Sequence, residues 1–556
     1  MKESQLKSSD SAIAAQSQCI LEENRAYDLA IVGSGISCTY TLIHYLYLLS
    51  KNLYSIKDFK SKAKTIRVAI IDKSGEFWTG IAYGKRSGQQ SLIITPLKEF
   101  LPQPERDRFI AWLEKNYDSV LDNLQQREGL LSKEWLKLYK EAINFGNWND
   151  LFIPRYLFGW YLQERVANLL QQTQNYLRCD LITADVCNIS KRLKSYQLDT
   201  TEGKSAMANK VVLAIGSPPN KVTFIEKSEF LQLSSQDKVC CIANMYEPNQ
   251  TSNLSKISNC LQANSDRTKY PNQVLIIGSN ASALETIYSL NNLPQVANSI
   301  DKFIIVSPSG AFPHRITDSP TSSTYVAKNL QLLLMRSNFT AKQIYQAVKQ
   351  DVRIALDNNE TIDSTYPIVS REVIKALNRL EHNEQKEFVI KYGVKIGKFQ
   401  RRAGIDYLNV VDKLMFEGKL EFIKGKFIGI MPISDGNFGF KFVTPISEQP
   451  QLYTNPVRII INCAGFQDLT KSSSPLINSL IQQGICTPND SKCGFEINEN
   501  FEAQQNLYLM GPLIAGNIND RFKVWHAESC GRIFNFSRNL AEILVEDINS
   551  SNLNYE

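Results

Sequence analysis

Short apolar runs that stop on small residues punctuate this chain. Asp28-Leu-Ala-Ile-Val32 runs into Gly33-Ser34-Gly35, and Gln273-Val-Leu-Ile-Ile277 runs into Gly278-Ser279-Asn280. Runs of that length, apolar throughout rather than alternating, read as strands buried on both faces of a parallel sheet. A helix-forming stretch follows each turn and completes a strand–turn–helix unit. Further strand-like runs cover 66–72, 181–186, 196–199, 210–216, 239–242, 302–307, 420–423, 439–443, 458–465 and 506–511. Segments 105–180 and 326–425 read mainly as helix, the first with Phe109, Trp112 and Leu113 on one face, and a last helix covers about 525–546. Pro154 suits the first turn of a helix that continues through Arg155. The pattern predicts an α/β fold with two Rossmann-like dinucleotide-binding domains and a helical insertion.

A strand that feeds a helix through a tight turn leaves free backbone N–H groups at the helix start, and these hold a pyrophosphate. The run 66–72 ends in Asp72, the acid that in such units binds a ribose hydroxyl pair, although it lies farther from the glycines than the usual roughly 20 residues. The third fingerprint position is Cys38, still small. In the second unit Asn280 replaces the middle glycine, and Asn tolerates positive φ better than most residues. The second unit's next strand ends at Ser307 with no acid, and His314 and Arg315 follow. A hydroxyl followed by cations favours a 2′-phosphate, hence NADPH. Two dinucleotides side by side are the means by which a nicotinamide reduces a flavin.

Composition narrows the setting. The 556 residues are 43% hydrophobic and 21% charged, ordinary for a globular chain with more than one core. Net charge is +6 without a long basic run, which points away from nucleic acid. No apolar stretch reaches the roughly 18 residues of a membrane helix, and residues 1–26 read as a loose polar tail. The 11 cysteines form no Cys-x-x-Cys pair and read as reduced thiols of a cytoplasmic protein. The four histidines are scattered without metal-ligand spacing, so no metal site is expected.

The order of several motifs is more specific than any one of them. These are Ile71-Asp-Lys-Ser-Gly-Glu-Phe-Trp-Thr-Gly-Ile-Ala-Tyr-Gly84, Ile153-Pro-Arg-Tyr-Leu-Phe-Gly159, Ala214-Ile-Gly-Ser-Pro-Pro219, Phe399-Gln-Arg-Arg402, Asn462-Cys-Ala-Gly465, Ser474-Pro-Leu-Ile-Asn-Ser-Leu480 and Asn506-Leu-Tyr-Leu-Met-Gly-Pro512. From about 27 to 540 the chain resembles the two-dinucleotide flavoproteins, and more narrowly the bacterial FAD/NAD(P)-binding proteins related to the N-hydroxylating flavin monooxygenases. The resemblance implies an FAD domain begun by 27–270, an NAD(P) domain over 271–455 that carries the helical insertion, and a completing FAD segment over 456–556. It implies FAD contacts from Gly33, Ser34, Gly35, Ile36, Ser37, Asp72, Lys73, Tyr83, Thr95, Pro96, Val186, Ala214, Gly216, Gly465, Gly511 and Pro512. It implies NADPH contacts from Gly278, Ser279, Asn280, Ala281, Ser282, Ser307 and Arg315.

The residues themselves order the chemistry. A disulfide reductase needs paired thiols beside the flavin, and none are close in sequence. No iron–sulfur or haem ligand set is visible. Oxygen remains as acceptor, through a flavin C4a-hydroperoxide shielded from water. The resemblance favours transfer of an oxygen atom to the amine of an amino acid or similar small molecule. His526 and Glu528 are candidates to take the substrate's ammonium proton. Arg401 and Arg402 are candidates to clamp a substrate carboxylate. Arg155 matches a position of the family, and the resemblance implies that it serves FAD or substrate, with a structural ion pair the equal alternative. Alternatives are a plain NAD(P)H:acceptor oxidoreductase and a non-catalytic flavin-binding sensor or scaffold. The expected partners are the small amine and molecular oxygen, with no nucleic acid and no membrane; an oligomer is possible.

Overall fold

The computed structural model describes residues 26–55, 65–221, 239–264, 267, 269–317, 321–322, 324–434, 437–447, 449–527 and 529–553. The expected tail, the polar stretch 56–64 and Glu528 lie outside the described residues. Two large sheets and the helices packed on them carry the candidate sites. The strands are β1 (Tyr27–Val32), β2 (Ile66–Asp72), β3 (Leu177–Thr183), β4 (Val186–Lys191), β5 (Tyr196–Thr200), β6 (Ser205–Leu213), β7 (Cys240–Ile242), β8 (Gln273–Ile277), β9 (Lys302–Ser307), β10 (Leu420–Lys424), β11 (Ile459–Asn462), β12 (Glu502–Gln504) and β13 (Leu507–Leu509). The helices are α1 (Ile36–Ser55), α2 (Leu130–Asn144), α3 (Arg155–Thr173), α4 (Ala281–Asn292), α5 (Ile405–Phe416) and α6 (Cys530–Leu553).

The continuous apolar runs become central strands, as their lack of alternation demands. In the first sheet the order is β12-β13-β6-β1-β2-β3, with β4 and β5 joined to it through β6. β1 is parallel to both neighbours, with Ile31 level with Ile70 on one side and Val212 on the other. Ile31, Ile70 and Val212 are wholly buried, each such side chain contributing about 1.5–3 kcal/mol. α1 buries Leu42, Ile43, Leu46 and Leu49 and packs on α6, so the chain's last described helix closes the first domain.

The second sheet has the order β10-β9-β8-β11-β7, with every pair parallel. This shifts two expected boundaries. β7 belongs to the second domain although it precedes residue 271, and β11 belongs to it although it follows 456. Hydrophobicity alone cannot assign a strand to a sheet; the pairing of Ile460 with Leu275 on one side and Cys241 on the other does so. The helical insertion is also shorter than 326–425. Helices Lys328–Leu334, Ala341–Asp357, Ile362–Arg379, His382–Glu387 and Gly393–Phe399, with the helical turn Phe388–Tyr392, bury their own separate core, including Leu330, Ile344, Val373 and Phe388. α5 and β10 return to the second sheet as its crossover and edge strand. Likewise 105–180 is not continuous helix, because α3 ends at Thr173 and β3 begins at Leu177.

Candidate dinucleotide clefts and active site

The two strand–turn–helix units repeat down to single hydrogen bonds. Gly33 N–H donates to Ile71 O at 2.7 Å, and Gly278 N–H to Val306 O at 2.9 Å. Both glycines have positive φ, +92° and +111°. A Cβ on Gly33 would stand 2.6 Å from Ala214 O, and one on Gly278 would stand 2.7 Å from the Cys463 carbonyl carbon. Ala214 N–H donates to Val32 O at 2.9 Å and Cys463 N–H to Ile277 O at 2.8 Å. Each turn is thus wedged between the ends of two neighbouring strands, where only glycine fits. Gly216 and Gly465 repeat as well, with φ of +79° and +86° and open space where a Cβ would be.

The first cleft is built to keep the α1 N-terminus open. The helix ladder begins with Thr39 N–H to Gly35 O at 3.0 Å, so the earlier N–H groups lie ahead of it. Ser34 N–H donates to Asp72 Oδ2 at 2.9 Å, while Ser74 N–H and hydroxyl donate to Oδ1 at 2.8 and 2.5 Å. Asp72 therefore holds the turn and keeps acceptor capacity for hydroxyls, since a carboxylate offers about four lone-pair sites. The 75–84 loop folds over the turn: Thr39 Oγ1 donates to Trp78 O at 2.8 Å, and a Cβ on Gly80 would stand 2.8 Å from Gly35 Cα. Gly159 lets α3 lie on the Tyr83 carbonyl, and Gly511 lies against the Ser37 hydroxyl. Met510 N–H donates to Leu213 O at 2.9 Å, which brings Gly511 and Pro512 to the mouth of the cleft. This cradle fits a dinucleotide: glycine backbone, open N–H groups and a strand-end acid stand together.

The remaining first-cleft candidates divide. Ile36 and Ser37 form the first turn of α1, and Ala214 lines the glycine turn. Val186 opens β4 opposite Thr200, and Lys73 is exposed beside Asp72. Thr95 and Pro96 lie between Ile93 and Leu97, whose N–H groups bond to the carbonyls of Ile153 and Leu151 at 2.9 and 3.1 Å. The Tyr83 ring instead packs edge-on against Phe158 and Phe100, 5.0 and 5.9 Å between centroids, and burial raises its phenol well above the usual value. Gly465 belongs to the joint between domains. Lys221 N–H donates to Gly465 O and Gln467 N–H to Pro219 O, both at 2.8 Å, so the two crossing strands of chain pair.

In the second cleft Asn280 has φ −90° and is exposed, with no capping bond from its side chain. Positive φ is not required there, and the side chain leaves the N–H groups of Ala281 and Ser282 uncovered. Gly278 and this helix start fit a second dinucleotide. The expected 2′-phosphate residues are otherwise engaged. Ser307 is buried, its hydroxyl 2.9 Å from Ser279 Oγ and 2.8 Å from Ser309 Oγ. Arg315 pairs with Asp412 and donates to Asn409 Oδ1 at 2.7 Å. His314 is half-buried, which lowers its pKa. Lys424, which the sequence pattern did not single out, pairs in register with Ser307 and lays its stem over Gly310.

Two of the three arginines expected at substrate serve architecture. Arg155 is buried and pairs with Glu285 of α4 at 2.8 Å; Tyr246 donates its hydroxyl to the same carboxylate. Burial opposes the Arg155 charge, but Glu285 outweighs it and raises the pKa. Arg402 pairs with Glu99 at 2.8 Å and with Asp363, and lies 4.4 Å from the centre of the Tyr366 ring. It joins the first domain to the insertion rather than waiting for a carboxylate. None of these partners could be found from spacing, since Glu285, Glu99 and Asp363 are all remote in sequence.

Arg401 stands elsewhere, in an electropositive corner. His526 is pushed down to about 4 by burial first, then by Arg532 and Arg401, so its imidazole is neutral near pH 7. Its own carbonyl accepts from Arg532 Nη1 at 2.8 Å, and Arg532 lies 4.9 Å from the centre of the Trp525 ring. Trp525 packs against Gly393 and Phe388 of the insertion. Lys398 is held below its usual value by burial, then Arg401, Lys221 and Lys395. The insertion, the interdomain joint and the C-terminal segment thus meet in one positive region. Arg532 was missed because it lies within a helix, where a cation usually reads as surface; among the described residues no ion pair engages it or Lys398.

No group of residues able to hold a metal and no helix able to cross a membrane occurs among the described residues. The ten described cysteines are all free, and burial raises the thiols of Cys38, Cys463 and Cys530, which makes them weak nucleophiles.

Residues 30–218 match the family model described as FAD-NAD(P)-binding, so the first cleft lies in an FAD-NAD(P)-binding domain. Over 94% of its length the chain is 27% identical to an uncharacterised protein of Mycobacterium tuberculosis and to one of Mycobacterium bovis, covering 96% of each. The FAD-bound cadaverine monooxygenase of desferrioxamine biosynthesis from Erwinia amylovora is 12% identical with a TM-score of 0.50, over 94% of this chain and 95% of that one. The reduced ornithine hydroxylase of Pseudomonas aeruginosa is 13% identical with a TM-score of 0.48, over 94% and 100%. The cadaverine monooxygenase likeness shows a shared fold.

Proposed function

We propose that this protein is an FAD- and NADPH-dependent monooxygenase that hydroxylates the amine nitrogen of an amino acid or similar small amine. The observation that carries this reading is the doubled cradle: two glycine turns with the same hydrogen bonds, set on paired crossing strands between the domains. FAD in the first cleft supplies electron transfer and oxygen chemistry when bound. Gly33, Gly35, Ile36 and Ser37 would hold its pyrophosphate, and Asp72 its ribose. Gly278, Ala281 and Ser282 would hold the NADPH pyrophosphate, with Lys424 beside Ser307 for the 2′-phosphate.

The positive corner is suited to a substrate carboxylate, with Arg532 and Arg401 as its donors. Those same charges disfavour an ammonium and favour the neutral amine, the form able to attack. His526 is neutral near pH 7 and can accept a hydrogen bond, but at about 4 its affinity for a proton is low, so it acts as an orienting group. A disulfide acceptor finds little support, because the described thiols are unpaired and those beside the turns are buried with raised pKa. The uncovered helix start at Asn280 also weighs against a non-catalytic scaffold.

The test is anaerobic reduction of the FAD-loaded protein by NADPH, followed by oxygen and a panel of amino acids and diamines. The expected result is bleaching of the flavin and a product one oxygen heavier, formed in step with NADPH use. Peroxide alone with every amine would leave only an NADPH:oxygen oxidoreductase. A flavin that no nicotinamide bleaches would leave a scaffold.

A further inference from the structure

The turn between β4 and β5, Lys191-Arg-Leu-Lys-Ser195, is closed by Arg192 N–H donating to Ser195 O at 2.8 Å. Beside it lies the turn between β12 and β13, where Asn506 takes a φ of +65°. The two turns are tied together. Tyr196 is only 2% exposed and donates its hydroxyl to Gln505 O at 2.8 Å, while Val211 N–H of β6 donates to Asn506 O at 2.9 Å. A cavity of about 290 Å³ opens there, lined by Lys191, Arg192 and Lys194 of the first turn, Gln505 and Asn506 of the second and Asn209 of β6.

The described residues that line this cavity include three cations and no acid. No ion pair engages Lys191, Arg192 or Lys194 among the described residues. Two carboxylates stand behind the turns, outside the lining, and both are engaged. Asp199 of β5, within electrostatic reach of Arg192, accepts from Asn188, Gln197 and Ser205. Glu502 of β12 accepts from Asn506 N–H at 2.9 Å and from Asn498 Nδ2 at 3.0 Å. Arg192 is the held cation. Its Nε and Nη2 donate to Gln197 Oε1 at 3.1 and 2.6 Å, and Gln197 Nε2 donates to Asp199 Oδ1 at 2.7 Å. The guanidinium is therefore oriented by a neutral amide, and its Nη1 has no protein partner among the described residues. A carboxylate offers one charge and two oxygens to this set. A phosphate monoester offers a charge of about −1.5 to −2 and three strong acceptor oxygens, a closer match to three cations and three amides.

We propose that this cavity is a binding site for a phosphate monoester, separate from both dinucleotide clefts. Tyr27 is level with Ala208 and Val32 with Leu213, so the cavity stands at the end of the first sheet where β1 begins, and the glycine turn at the end where β1 stops. Along β6 the separation from Asn209 to Leu213 is about 13 Å. The Leu193 side chain on the rim is wholly exposed, so the phosphate can belong to a free small molecule or to a lipid headgroup that Leu193 meets at the bilayer surface.

The test uses the full-length protein with both clefts filled by excess FAD and NADP+. Glycerol 3-phosphate is titrated calorimetrically at constant ionic strength. The expected result is one saturable site whose affinity falls about tenfold in Arg192→Gln and in Lys194→Gln. Lys204→Gln, an exposed lysine on the β5–β6 turn, should leave it unchanged, and all three variants should keep the wild-type melting temperature and FAD content. Sedimentation with phosphatidic acid vesicles but not phosphatidylcholine vesicles, lost in Leu193→Ser, would identify the headgroup as the source. Glycerol 3-phosphate binding without sedimentation would identify a free phosphate compound. No binding once both clefts are filled, or binding that Arg192→Gln and Lys194→Gln do not weaken more than Lys204→Gln, would overturn the proposal.

Discussion

Replacing Gly278 by alanine separates the two cofactor sites. The new Cβ would collide with the Cys463 carbonyl oxygen and stand 2.7 Å from its carbon, where ordinary contact begins near 3.4 Å, so the turn must retreat by more than about 0.7 Å. Its φ of +111° adds strain of roughly 1–3 kcal/mol for an L-residue. With the displaced carbonyl, the distortion totals about 3 kcal/mol, close to a hundredfold in affinity if the pyrophosphate is held by that turn. The assay is anaerobic stopped-flow bleaching of bound flavin against NADPH concentration. Gly278→Ala should keep its FAD and undergo ordinary photoreduction, yet need about a hundredfold more NADPH for the same rate. Gly33→Ala, whose Cβ would meet Ala214 O at 2.6 Å, should instead lose FAD. If Gly278→Ala is bleached at the wild-type concentration, or is the variant that emerges without flavin, the assignment of one dinucleotide to each turn is wrong.

Other perturbations probe the joints. Arg155→Met strands Glu285 in a buried setting and should cost about 3–5 kcal/mol in denaturant unfolding, with much of it recovered in the Arg155→Met/Glu285→Met double variant; additive losses would refute the pairing. Asp406 has its carboxyl raised to about 6, so its contribution is present below the unfolded value near 4 and is lost as pH rises through 6. Asp406→Asn should therefore stabilise the protein by up to about 3 kcal/mol at pH 7.5 and by almost nothing at pH 4; a constant difference across that range counts against it. Lys424→Glu should raise the KM for NADPH about tenfold and leave NADH unaffected, and an equal change for both would remove Lys424 from the 2′-phosphate.

What the amino-acid order settled by itself is local. A continuous apolar run, a glycine with no room for a side chain and a helix start are all encoded within some fifteen neighbouring residues, as the 28–38 and 273–283 units show. The matching glycines at 216 and 465 were legible for the same reason. Sheet membership was not: 240–242 and 459–462 look like strands anywhere, and only the parallel pairing of 459–462 with 274–277, and of 240–242 with 459–461, puts them in the second domain. The fates of the arginines were equally hidden. Arg155 and Arg402 are told apart from an ordinary surface arginine only by the distant carboxylates that the folded chain brings up to them. Charge in a protein interior is governed by contacts across hundreds of residues, so tertiary structure decided which cations brace domains.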